Sequence, residues 1–272
     1  VNAGVAIVSG ANYNTLIGDE AGDSLVSGGV NNTAVGYQAL TSEDANGNAT
    51  AIGFRALGNQ NAGAESYNVA VGIDAGLNLT TSTSTTLVGA FAGGGAVMTG
   101  ANNTAIGRNA GYVLTSGAEN VFVGGLAGDG TDDGNFNTAV GYLALSANCG
   151  SNNTAVGQRS LVSATGDLNT SIGKEAGTLM SSGQRCTFVG ALAGTSASTM
   201  EDSVAIGNDA GKFATTAHSS VFIGADAGQG ITGTKLTGNQ NTAVGAQAGF
   251  LLQGTAENNN LFGFGAGKAM TT

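Results

Sequence analysis

Proline and tryptophan are absent from the 272 residues, histidine occurs once and cysteine twice. Aromatic residues make up only 6% and charged residues 10%. Each shortage excludes something. Without proline, and with 48 glycines that follow no strict Gly-X-Y triplet, the chain is not collagen. Few aromatics mean that Ala and Val carry most of the apolar content, which disfavours a bulky-cored enzyme. Lys plus Arg number 8 against 18 Asp plus Glu, giving a net charge of −10. Such a chain is a poor partner for nucleic-acid phosphates and is repelled by anionic lipid. No apolar run approaches the length of a membrane span; the longest candidate, Leu87 to Met98, is short and broken by glycine. Val1 is not an initiator Met and no signal-peptide pattern follows it, which reads as a processed chain or a fragment.

What the chain has is repetition. Asn32-Thr33-Ala34-Val35-Gly36 returns as Asn103-Thr104-Ala105-Ile106-Gly107, as Asn137-Thr138-Ala139-Val140-Gly141 and as Asn241-Thr242-Ala243-Val244-Gly245. Fifteen anchor glycines, Gly18 through Gly263, carry this motif at spacings of 16 to 21 residues. The residue before each anchor is Val or Ile, except Phe262; the third residue after it is Ala, except Ser160. A period of about 17 with Val and Ile in register reads as a solenoid rather than disorder. No linker or composition shift interrupts it, so residues 1–272 read as a single β-solenoid repeat domain.

Thr-Ala-Val is too short for a helix and suits a strand. The glycine permits a bend, and the Gly/Ser/Asn/Asp-rich remainder closes the turn. The expected fold is all-β: a parallel β-roll or β-helix of about 15 coils, each with two or three short strands stacking roughly 4.8 Å apart. Alternation of faces gives two apolar rows. The Val/Ile row, nearly constant in size, is expected inside the coil. The preceding row, which includes Leu16, Leu87, Phe122, Phe188, Phe222 and Leu261, is then expected outside. A long exposed apolar stripe is avoided in monomers, so this row is expected to be a subunit interface. Asn at the fourth position before the anchor, in ten coils from Asn14 to Asn259, predicts an amide ladder. Residues just after the anchor, among them Gln38, Arg55 and Asp74, are expected at an exposed edge.

Ser203-Val204-Ala205-Ile206-Gly207-Asn208-Asp209-Ala210 resembles the head repeat of trimeric autotransporter adhesins. Asn32 to Leu40 equally resembles repeats of phage tail fibres and tailspikes. The likeness covers nearly all of 14–267. It implies a left-handed roll, a homotrimer, and a place outside the cell, on a cell surface or on a virion. The repeat is longer than the usual adhesin-head repeat, no neck, heptad stalk or membrane anchor accompanies it, and no residue-level site is transferred.

Conventional chemistry is sparse. One histidine, His218, cannot build a typical zinc site, and with Ser219 it reads as an ordinary turn. The run from Gly89 to Gly95 lacks the Lys-Ser/Thr ending of a phosphate loop. Asp129, Thr131 and Asp133 have the spacing of a calcium-loop start, but Val140 stands where the closing Glu is needed, and a solvated acidic turn is favoured. Cys149 and Cys186 lie in different coils, separated by roughly 14 Å at the strand spacing. That exceeds disulfide reach, so both are expected as free thiols, with Cys186 at an Asn position of the ladder. No cofactor is expected.

The functional expectation is a non-enzymatic, homotrimeric fibre segment presenting an attachment surface to a host glycan or protein, multiplied by avidity. The longest insertion, between Gly224 and Gly245, offers Ile231, Thr234, Lys235 and Leu236 as a candidate receptor-binding loop. One alternative is a filament built by end-to-end stacking. A polysaccharide-degrading tailspike is less favoured, because the acids are scattered rather than paired in a groove.

Overall fold

Every Thr-Ala-Val-like triplet forms a three-residue strand, and the anchor glycine ends it. In a computed structural model that describes residues 3–4, 9–43 and 47–271, there are fifteen such strands and no helix among the described residues. The chain divides into two compact units, Val1–Asn137 and Thr138–Thr272. The first holds β1 (Thr15–Ile17), β2 (Thr33–Val35), β3 (Thr50–Ile52), β4 (Val69–Val71), β5 (Thr86–Val88), β6 (Thr104–Ile106) and β7 (Val121–Val123). The second holds β8 (Thr138–Val140), β9 (Thr154–Val156), β10 (Thr170–Ile172), β11 (Thr187–Val189), β12 (Val204–Ile206), β13 (Val221–Ile223), β14 (Thr242–Val244) and β15 (Asn260–Phe262).

Within each unit, consecutive strands pair in parallel and in register, as Thr33, Ala34 and Val35 do with Thr50, Ala51 and Ile52. Each unit is therefore a parallel β-solenoid. One strand per coil is seen, against the two or three expected. Beyond the glycine the path runs through tight turns whose amides bond to the next coil, as Gly22 N–H does to the Ala39 carbonyl (2.9 Å) and Leu40 N–H to that of Ala56 (3.0 Å). Only isolated bridges, such as Leu79 with Met98 and Ala214 with Leu236, extend the pairing there.

The anchor has to be glycine for two reasons. Gly72 has φ +140°, a region L side chains rarely adopt, and a Cβ there would sit 2.6 Å from the Gly89 carbonyl oxygen of the next coil.

The two apolar rows are reversed from expectation. The middle residue of each strand points inward: Ala34, Leu87, Phe122, Phe188 and Phe222 have no exposed surface. The Val/Ile row points outward, with Ile17, Ile52, Ile106, Val140, Ile172, Ile206 and Ile223 exposed. The physical reason lies in the turn. Four residues after each anchor stands either Gly or Leu, and the choice follows the volume of the strand centres beside it. Where a coil and its successor both have Ala or Ser at the strand centre, Leu fills the space: Leu40, Leu57, Leu145 and Leu161 are all buried. Where either centre is Leu or Phe, glycine stands there. A Cβ on Gly177 would lie 2.9 Å from the Phe188 ring, and one on Gly211 would lie 2.8 Å from that of Phe222. The variable row is thus the core, kept at constant volume by its partner. The uniform β-branched row lies on the pleated outer face, where such residues fit well.

Candidate interaction surfaces

The first and third residues of every strand share the outer face of the sheet. In the first unit these are Thr or Val followed by Val or Ile, from Thr15 and Ile17 to Val121 and Val123. In the second they run from Thr138 and Val140 to Val221 and Ile223 and continue through Thr242 and Val244, ending at Asn260 and Phe262. No strand position in either unit carries a charge. The outer face of each unit is consequently an uncharged, β-branched strip, half-buried to exposed along its length.

The residues expected at the interface sit elsewhere. Leu87, Phe122, Phe188 and Phe222 are fully buried inside their own coils, and Leu16 and Leu261 are half-buried at strand centres of β1 and β15. They are core residues, because the strand centre is the inward position. The candidate receptor loop is divided in the same way. Thr234 and Lys235 are exposed and Ile231 is half-buried, but Leu236 is fully buried and bridges to Ala214 and Gly254, so it belongs to the core. What bulges outward is 232–235.

The Asn row is buried and forms a ladder, though mainly through the backbone. Asn120 shows the unit: its backbone N–H donates to Asn103 Oδ1 (3.0 Å), its Nδ2 donates to the Gly134 carbonyl (2.8 Å), and its Oδ1 accepts from Asn137 N–H (2.8 Å). Direct amide–amide bonds occur as well, as from Asn259 Nδ2 to Asn241 Oδ1 (2.9 Å). Cys186 occupies an Asn position: its N–H donates to Asn169 Oδ1 (3.0 Å) and its thiol to the Met200 carbonyl (3.3 Å). Burial pushes this thiol up to about 11. Neither Cys149 nor Cys186 is in a disulfide, and both are buried.

The calcium-like triplet is unevenly buried. Thr131 is fully buried, Asp133 is exposed, and Asp129 is half-buried with Oδ1 lacking a hydrogen-bond partner. Burial raises the Asp129 carboxyl above its ordinary value. Among the described residues no three His, Cys, Asp or Glu side chains group to hold a metal ion. His218 acts through its backbone, donating to Asn239 Oδ1 (2.9 Å) and accepting from Gln240 N–H (2.9 Å).

Charged side chains meet across successive coils. Arg185 binds Asp202 through Nε (2.5 Å) and Nη2 (3.0 Å), with Glu201 at 3.4 Å. This fork holds the Asp202 carboxyl below the usual carboxylate range and raises Arg185. The pair is half-exposed, so solvent screens most of its value. Sequence reasoning missed a second cluster, in the first unit. Arg55 grips Asp74 through Nε and Nη2, both at 2.8 Å. Asp74 is buried there, not at an exposed edge as expected, because the fork covers it. Arg55 also lies 4.9 Å over the Phe54 ring, which stacks on Tyr37 at 5.6 Å. The available signal was two aromatic residues at the same repeat position in adjacent coils.

The chain matches no protein-family model and no curated protein. Among the described residues no helix is long and apolar enough to cross a membrane.

Proposed function

We propose that the chain is a non-catalytic, homotrimeric fibre segment that works outside the cell, on a cell surface or a virion, and presents an attachment surface to a host. The observation that carries this reading is the uncharged β-branched outer face of the sheet in each unit. A contiguous uncharged strip with an exposed Val/Ile row along it marks an interaction site, and three copies packing on it would cover that row. The expected interface therefore moves from the strand centres to the flanking residues, such as Ile52 and Ile106 in the first unit and Ile172 and Ile206 in the second. The repeat's resemblance to trimeric adhesin heads and tail fibres supports the same reading. Attachment would rest on weak contacts multiplied threefold. Sedimentation equilibrium tests it: a single species of three chains is expected, and a stable, folded monomer at all concentrations overturns it. Electron microscopy of the same sample should show discrete rods, whereas long filaments would favour end-to-end stacking.

A further inference from the structure

We propose that the first unit carries a binding site for an uncharged saccharide, in the cavity beside the Tyr37–Phe54 stack. This deepens the adhesive reading above and rests on it for biological meaning, but not for its chemistry. The cavity measures about 400 Å³, within the range of small-ligand sites, and Gln38, Thr41, Arg55, Asn59, Leu77 and Asn78 line it. Its walls come from three successive coils, so the solenoid spacing itself shapes it.

Three features select the ligand. First, the lining is rich in groups that both donate and accept hydrogen bonds: amides at Gln38, Asn59 and Asn78 and a hydroxyl at Thr41. These match a polyol. Second, the amides are held in place. Gln38 Nε2 donates to Glu20 (2.6 Å), Asn59 Nδ2 to Asn78 Oδ1 (3.0 Å) and Asn78 Nδ2 to the Gly94 carbonyl (2.9 Å). Pre-ordered polar groups cost less entropy on binding. Third, the one cation of the lining is already neutralised. Arg55 spends Nε and Nη2 on Asp74, leaving Nη1 as a fixed donor without an unpaired charge. An anionic ligand would find no free cation there, while a neutral sugar hydroxyl would find a strong donor. The Phe54 ring, stacked on Tyr37, lies under the Arg55 guanidinium at 4.9 Å and steadies that donor at the cavity wall.

The test is an array of uncharged and sialylated oligosaccharides probed with the full chain, followed by calorimetric titration of the strongest neutral binder. Binding to uncharged sugars is expected. Phe54→Ala and Asn59→Ala should each weaken it at least tenfold, while Tyr142→Ala, an exposed aromatic at the same repeat position as Tyr37 and Phe54, should leave it unchanged. If a variant folds poorly, hydrogen exchange on the unaltered protein decides: the sugar should slow exchange at Gln38, Thr41 and Asn59 and not in the second unit. No saccharide binding by folded chain overturns the site, as does binding that is sialic-acid dependent, or binding that Phe54→Ala and Asn59→Ala leave intact. Sedimentation of the same samples reports on the trimer separately, so the loss of either reading is distinguishable.

Discussion

A Cβ on Gly128 would lie 2.6 Å from the ring of Phe122, the strand centre of its own coil. Gly128 has φ +59°, and the equivalent Leu145 adopts φ 53° without glycine. Backbone conformation therefore does not demand glycine at that position; the ring does. The pair should behave as one unit of volume. Phe122→Ala should cost about 3–5 kcal/mol through the cavity it leaves. Gly128→Leu alone should also destabilise, by overpacking against the ring. The double variant should recover part of the loss, so denaturant unfolding should show coupling of about 1 kcal/mol or more. Additive losses would sink the volume rule.

Removing one rung of the Asn ladder should be costly. Asn120→Ala strands the Asn137 N–H and the Gly134 carbonyl, both bonded to Asn120 in the intact ladder. Leaving such groups unpaired costs about 1–3 kcal/mol each way. Asn208→Ala, at an exposed amide whose Nδ2 lies 3.4 Å from the Ala191 carbonyl, is the control and should change the melting temperature little. Equal melting of the two variants would show that the ladder carries no stability.

Cys186 should make the fold sensitive to alkali. Its thiol titrates at about 11 in the folded chain against an ordinary value of 9.0. The folded state thus keeps a proton that the unfolded chain releases. Its contribution is complete below pH 9.0 and falls away as pH rises towards about 11, by up to about 2–3 kcal/mol. Cys186→Ser keeps a donor, as Ser203 does at the same repeat position by bonding the Ala217 carbonyl (3.0 Å). The serine variant should lose less stability than the parent between those pH values. Parallel stability curves would refute the assignment. Thiol reagents should also leave both buried cysteines unmodified until the chain unfolds.

Asp129 should work in the opposite direction. Burial raises its carboxyl, so the charged form costs the fold stability above its folded value, and that cost disappears as pH falls through it. Asp129→Asn should raise the melting temperature at neutral pH, and the gain should shrink in acid. Added calcium should not reproduce it, since Thr131 is fully buried while Asp133 is exposed. A calcium-dependent rise in melting that Asp129→Asn abolishes would overturn this.

The coil was legible because its constraint is absolute: only glycine fits where Gly72 meets Gly89, so the anchors print the period on the sequence. The phase of the strand was not. Alternation separates Ala34 from Val35 but does not say which faces inward, and both rows are apolar. The deciding signal was present as the exchange of Leu and Gly four residues past the anchor, at Leu57 and Gly128 for example, tracking Ala51 and Phe122. Reading it needs knowledge that the turn packs against the strand centre. The Arg55 cavity was less legible still, since its lining comes from three coils at unequal spacings and matches no local motif.

The phase of the rows gives the sharpest test, within the second unit. Ile172 and Phe188 lie one coil apart, in the paired strands β10 and β11. Ile172 is 43% exposed and Phe188 has no exposed surface. Phe188→Asp places a carboxylate inside the coil with neither water nor a partner, a burial that a protein avoids by unfolding locally or taking up a proton. Because neighbouring coils stabilise each other, the loss should spread along the unit. Circular dichroism should show less β-structure whatever the oligomeric state. Ile172→Asp leaves the coil interior untouched and puts a charge on the outer face. If three chains cover that face, the charges of all copies are forced together, and assembly should fail while each chain keeps its β-structure. Sedimentation should then report monomers with a native-like spectrum. Should Ile172→Asp assemble and melt like the unaltered chain, the outer face is open to solvent and the trimer loses its structural basis.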